Sequence, residues 1–105
     1  MELDIDVENA PNSGETVLVI TGSVDVQSRD WLLDEGREAL RTEGITGLVL
    51  DMSGVTFLDS TGIGALIDLA HDAEDHAVTF GLRNPGPRVV RILQMTGLDA
   101  RWPVE

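Results

Sequence analysis

The sequence predicts an α/β domain: a mixed four-stranded β-sheet with three to four helices packed against it, in the order β-β-α-β-α-β-α. Three observations carry that expectation. Residues 3 to 8, "LDIDVE", alternate apolar and acidic with the period of a half-exposed strand. Beyond them, short apolar runs alternate with stretches whose apolar residues recur at helical spacing, the pattern of crossover connections between parallel strands. With 105 residues and no linker, internal repeat or low-complexity tract, the chain fits one domain over residues 1–105 and can bury a continuous core.

The first strand runs into "PNSGE", a cluster of turn formers. Then comes "TVLVITG", apolar on both faces and so expected to be a central strand ended by Gly22. The two are expected to form a hairpin, which makes the sheet mixed. From about Gln27 to Thr42 the spacing turns helical. Leu32, Leu33, Ala39 and Leu40 share a broad face with Gly36 one turn from Leu32, and the charged residues from Arg29 to Arg41 cover the rest. Ser28 or Asp25 can cap its start, and "EGITG" ends it.

"LVLDM" is a short apolar run closing on an acid, as in a buried strand. Ile63, Leu66, Ile67 and Ala70 fall at i, i+3, i+4 and i+7, which predicts a helix lasting to about Glu74, with Asp68, His71, Asp72 and Asp75 mostly outward. "HAVTFGL", with Val78, Phe80 and Leu82 alternating, is the fourth strand, and "NPGP" is a break. A last helix from about Pro87 to Thr96 turns Val89, Ile92 and Leu93 inward and Arg88 and Arg91 outward. Pro87 suits its first turn and Gly97 its end.

Composition narrows the function classes. Hydrophobic residues make up 42% and charged residues 25%, ordinary globular values, but aromatics are scarce, so the core is expected to be Val, Leu, Ile and Ala. The absence of cysteine removes disulfides and thiolate metal sites and fits a reducing compartment. No stretch reaches the roughly 18 apolar residues of a membrane span. The acidic start, "MELDIDVENA", lacks the basic and apolar regions of a signal peptide. A cytoplasmic location without membrane insertion is therefore expected. With 19 acids against 7 bases, the net charge of −12 repels nucleic acid and anionic membranes and favours a partner with a basic face.

The chemistry concentrates in "VTFLDSTGIG", residues 55 to 64, where an apolar run meets a carboxylate, two hydroxyls and two glycines. A serine hydrolase needs a base within reach of Ser60. The histidines, His71 and His76, lie on or just beyond the same predicted helix, His71 about 16 Å of axial rise away. Leu58 also stands where a G-x-S-x-G elbow needs glycine. No lysine follows "TGIG" to complete a phosphate-binding loop, and the dinucleotide glycine pattern is missing. His71 and His76, five apart, face different sides of a helix, so no metal is expected. Nor is a cofactor or a catalytic activity.

A hydroxyl that is itself a substrate fits better. A serine at a helix start is exposed, and a phosphate there adds about −1.5 to −2 charge beside the positive end of the helix dipole. The fold tolerates that charge while the surface changes sharply. Asp25 and Asp59 surround the new phosphate with like charge and turn it outward. Gly62 and Gly64 offer a small cross-section to an approaching backbone. The bland alternative is a plain N-cap, with Asp59 or Ser60 accepting from the next turn. A cap does not explain two glycines in a first helical turn, where each costs about 1 kcal/mol against alanine. Chemistry alone leaves Ser60 and Thr61 equivalent.

"LVLDMSGVTFLDSTGIGALIDLAHDA" resembles the central signature of STAS domains, the sulfate-transporter and anti-sigma-factor-antagonist family. "ITGSVDVQSRDWLLDEG" is similar to the family's earlier segment, usually G-E-L-D. "NPGPRVVRILQMTGLDARWPV" is similar to its C-terminal stretch. Ser23 and Val24 replace the commoner Glu and Leu, and Asp25 is kept.

Free-standing domains of this length resemble anti-sigma factor antagonists, which implies a bacterial partner-switching module in transcription regulation. In such a module the unphosphorylated antagonist binds an anti-sigma factor that is also a serine kinase and so frees the sigma factor. ATP-dependent phosphorylation releases the kinase, and a separate phosphatase resets the switch. By position the resemblance assigns the modified serine to Ser60. It also implies a partner-binding surface of Asp25, Asp59, Ser60, Thr61, Gly62 and Gly64. The alternative it allows is a non-catalytic STAS subunit of a sensory scaffold or of a membrane transport complex, with the same corner as a constant interface.

Overall fold

The computed structural model describes residues 3–9 and 13–105; the first two residues of "PNSGE" lie outside the described set, as do Met1, Glu2 and Ala10. Four strands and three α-helices follow in the predicted order: β1 (Leu3–Asn9), β2 (Glu15–Val24), α1 (Arg29–Leu40), β3 (Gly47–Leu58), α2 (Ser60–Asp75), β4 (Thr79–Arg83) and α3 (Pro87–Thr96). A single 3-10 turn, Leu98–Ala100, comes after α3. The strands lie side by side in chain order. β1 runs antiparallel to β2, from Leu3↔Gly22 to Asn9↔Thr16, and β2, β3 and β4 are mutually parallel. The sheet is mixed, as the hairpin requires.

The core lies between one face of the sheet and the helices. Leu18 and Ile20 of β2, Leu48, Leu50 and Met52 of β3, and Phe80 and Leu82 of β4 join Leu32, Leu66, Leu69 and Leu93 in one buried cluster. Val17 and Val49 are buried too but stand outside that cluster, in the other phase of their strands. Trp102 closes the cluster beyond α3, edge-on to Phe80 with ring centroids 5.2 Å apart. After it the chain runs beside β4. The Leu82 amide donates to the Pro103 carbonyl (2.9 Å), and the Glu105 amide to the Leu82 carbonyl (2.9 Å). The outer edge of β4 is thereby covered.

Two strands run further than their sequence suggests. β2 passes through Gly22 to Val24, and β3 continues beyond the acid Asp51 as far as Leu58. The register explains both. Val19 pairs with Asp51 but Thr21 with Gly54, and Gly22 pairs with Val55 but Ser23 with Phe57. Each shift inserts one extra residue into β3, a bulge that lets pairing resume past polar residues. Gly22 is the residue at the second shift, with φ of 104°, a conformation that favours glycine. It marks a bulge and does not end the strand.

α2 packs with a face rotated from the one its spacing predicts. Its buried residues are Gly62, Ala65, Leu66, Leu69 and Ala73, while Ile63, Ile67 and Ala70 are half-buried on the flank. The reason is a second neighbour: α2 packs on both the sheet and α1, so its deepest line runs between the two. Across the helix pair, Arg29 Nη2 lies 2.6 Å from Asp68 Oδ2 and Arg37 Nε 2.8 Å from Asp72 Oδ2. The Asp72 hydrogen bond raises the Arg37 pKa above its ordinary value. Asp68 and Asp72, expected to point mostly outward, are instead tied to α1. α3 ends on Gly97 in the left-handed conformation, φ 76°, as its sequence predicts.

Candidate functional site

Parallel pairing brings the candidate residues together. Val24 and Leu58 are register partners at the ends of β2 and β3, so the next residues, Asp25 and Asp59, leave adjacent strands at the same end of the sheet. Neighbouring strands stand roughly 5 Å apart, which sets the separation of the two exits. Ser60, Thr61, Gly62 and Gly64 follow in the first turns of α2. All six residues therefore share one corner.

Asp59 is the N-cap of α2. Its backbone is extended and its Oδ1 accepts from the Gly62 amide at 2.8 Å. The choice between Asp59 and Ser60 as cap is thereby decided for Asp59. Ser60 occupies the first helical position, exposed, and its hydroxyl has no hydrogen-bond partner among the described residues. Thr61 is half-buried.

The two glycines differ. A side chain at residue 62 would run into the Val24 carbonyl oxygen, Leu58 Cδ1 and Val24 Cγ1. Gly62 is buried, and the backbone it admits is that of β2 in the same chain, not an approaching partner's. At Gly64 a β-carbon would meet nothing within 4 Å, so open space lies beside it. An intramolecular close approach accounts for Gly62; Gly64 is the glycine that leaves room outside.

Asp25 organises the turn into α1. Its Oδ1 accepts from the amides of Gln27 (3.0 Å) and Ser28 (3.1 Å), and its carbonyl accepts from the Arg29 amide (2.9 Å). Ser28 makes no side-chain cap of its own; its hydroxyl donates to the Ser23 carbonyl (2.7 Å) and accepts from the Asp25 amide (3.0 Å). Of the two candidate caps, Asp25 is the one that satisfies amides at the helix entry. Ser23 Oγ is buried with no partner among the described residues.

Two features escape sequence reasoning. Val26 and Trp31 are large apolar side chains left exposed in the loop and first turn that adjoin Asp25. Val26 is an apolar residue inside an otherwise polar stretch, which is common in loops, and Trp31 adjoins Leu32 and Leu33 and so looks like part of the buried helix face. His71 and His76, by contrast, are exposed toward the far end of α2, and no group of three or more potential metal ligands forms among the described residues.

With the fold and this corner in place, comparison with known proteins is decisive for the family. A family model described as "STAS domain" matches residues 4–105. The chain belongs to the STAS family. Over 104 residues this STAS domain is 24% identical to the anti-sigma F factor antagonist of Paenibacillus polymyxa, covering 99% of this chain and 87% of that protein. It is 40% identical over 68 residues to sulfate transporter 1.3 of Arabidopsis thaliana. That match takes in 63% of this chain but only 10% of the transporter's length. Among solved structures, an anti-sigma factor antagonist from Mycobacterium paratuberculosis superposes with a TM-score of 0.84 at 26% identity. The match covers 98% of this chain and 85% of that one.

Proposed function

We propose that this STAS domain is a phosphorylation-controlled anti-sigma factor antagonist. In its unmodified form it binds an anti-sigma factor that is also a serine kinase and frees the sigma factor. The similarity to antagonists along nearly their whole length supports the role. The observation that carries the control is the division of labour at the corner: Asp59 does the capping, which leaves the exposed Ser60 hydroxyl with no structural duty. In the step itself, Ser60 Oγ takes the γ-phosphoryl group of ATP, its proton is lost and ADP departs. The dianion sits at the positive end of α2 beside Asp25 and Asp59. It spares the core, projects outward from Asp25 and Asp59, and by bulk and like charge repels an acidic contact on the kinase. Val26 and Trp31 supply apolar contact area next to that face. The domain catalyses nothing itself, works in the bacterial cytoplasm, and is reset by a phosphatase.

Intact-mass analysis after incubation with candidate anti-sigma kinases and ATP tests the proposal. One added phosphate mapping to Ser60 supports it; modification at Thr61 alone, or none with any such kinase, overturns the assignment. The match to plant sulfate transporters favours a second reading, a non-catalytic STAS subunit of a transport complex or sensory scaffold. A partner that co-purifies constitutively and ignores ATP would select that reading.

A further inference from the structure

β3 outruns its neighbour on one side. Its last pair with β4 is Asp51↔Arg83, whereas pairing with β2 continues to Val24↔Leu58. From Met52 to Leu58, β2 is therefore the sole strand beside it among the described residues. A groove of about 430 Å³ lies along this stretch, lined by Val55, Thr56, Phe57 and Leu58 on one wall and by Gly86 to Val89, Arg91 and Ile92 of the α3 entry on the other. Val55, Thr56, Phe57 and Leu58 meet the groove in succession, across the bulge at Thr56, in the part of β3 that β4 leaves unpaired. Phe57 is 44% exposed there, an unusual outlay for a large aromatic side chain.

The charge of the groove opposes that of the molecule. Arg29, Arg37, Arg41 and Arg83 are each engaged by a carboxylate. Arg88 and Arg91 of α3 are exposed and have no carboxylate partner among the described residues, and they are the charged residues that line the groove. In a chain of net charge −12, this is a local cationic site beside an apolar trough.

We propose that the groove binds an extended peptide segment of a partner protein, one that alternates apolar and acidic side chains. The open edge of β3 offers main-chain hydrogen bonds to an added strand, and Val55, Phe57 and Ile92 receive its apolar side chains. Arg88 and Arg91 take its carboxylates in charge-assisted hydrogen bonds. Elsewhere the acidic surface repels such a segment, which directs it to this site. The Ser60 hydroxyl takes no part, so the proposal stands or falls apart from the phosphorylation switch.

The test is a titration of the full chain with a short peptide of alternating valine and glutamate, followed by backbone-amide NMR. Shifts are expected to concentrate at Val55–Leu58 and at residues 86–92. The double variant Arg88→Glu, Arg91→Glu is expected to weaken binding by roughly tenfold or more, the scale of lost charge-assisted bonds. Arg101→Glu, at another arginine with no ion pair among the described residues but outside the groove, is expected to leave it unchanged. A valine–lysine peptide is expected not to bind. Equal binding of the lysine peptide, no shifts, or shifts elsewhere would overturn the proposal. So would the same shifts arising without peptide as protein concentration rises, which would give the groove to a second copy.

Discussion

Leu69 of α2 occupies the space that a side chain at Gly36 of α1 would need: a β-carbon placed there overlaps the leucine's Cδ1 and Cδ2. Both residues are buried, and the two helices meet through this absence of a side chain. Gly36→Ala sets a gain in helix propensity of about 1 kcal/mol against overpacking of about 1–3 kcal/mol in a core that cannot easily yield. A net loss of stability is expected, read as a lower urea midpoint at unchanged slope. Gly64→Ala, with open space beside it, is expected to raise the midpoint instead, by the equivalent of about 0.5–1 kcal/mol.

Mutation is expected to separate the capping residue of the corner from the one proposed to be phosphorylated. Asp59→Ala removes the acceptor for the Gly62 amide and is expected to cost about 1 kcal/mol. Ser60→Ala removes a hydroxyl without a partner among the described residues and is expected to change stability by no more than about 0.5 kcal/mol. Thermal or urea unfolding of the two variants side by side checks this. A large loss in Ser60→Ala would give the serine a structural role.

Partner exchange is the complementary measurement. Ser60→Ala is expected to hold its kinase partner in the presence of ATP, where the wild type is released. Ser60→Asp is expected to bind more weakly than the wild type, though one carboxylate imitates only part of a phosphate's charge. Gel filtration of the mixtures with and without ATP reads both outcomes. Normal ATP-dependent release of the alanine variant would place the switch elsewhere.

The α2 register has its own test. Leu66 is fully buried, and Leu66→Asp puts an unpaired charge in the core, a cost on the scale of the whole stability of about 5–15 kcal/mol. Loss of the cooperative unfolding transition is expected. Asp68→Ala breaks the bridge to Arg29, but both groups are part-exposed, so the loss is expected to stay below about 1 kcal/mol and to shrink at high salt. A folded Leu66→Asp protein would contradict the packing described.

What the sequence discloses here is local, and what it conceals is pairing. The strand of alternating acids, the helix that starts at Pro87 and stops at Gly97, and the polar corner at Asp59 and Ser60 are all written in consecutive residues. The extension of β3 through Ser53, Gly54 and Thr56 is not, because those residues look like a loop until β3, bulging twice, is paired with β2. Gly62 is of the same kind. Its need for hydrogen in place of a side chain comes from the Val24 carbonyl, distant in sequence and invisible without the register. Arg29 and Asp68 likewise read as solvated charges until the helices are set side by side. The face of α2 was legible to within one row, since the pattern gives the apolar side but not the second helix that turns it.

The sheet's two borders are protected by different means. At one, β1 carries the exposed acids Asp4, Asp6 and Glu8; at the other, the stretch from Pro103 to Glu105 is laid against β4. An uncovered, uncharged border invites edge-to-edge growth into fibrils, and among the described residues neither outermost strand presents one. The stretch of β3 that no outer strand shields is short and flanked by Arg88 and Arg91, so the same guarding by charge extends to it.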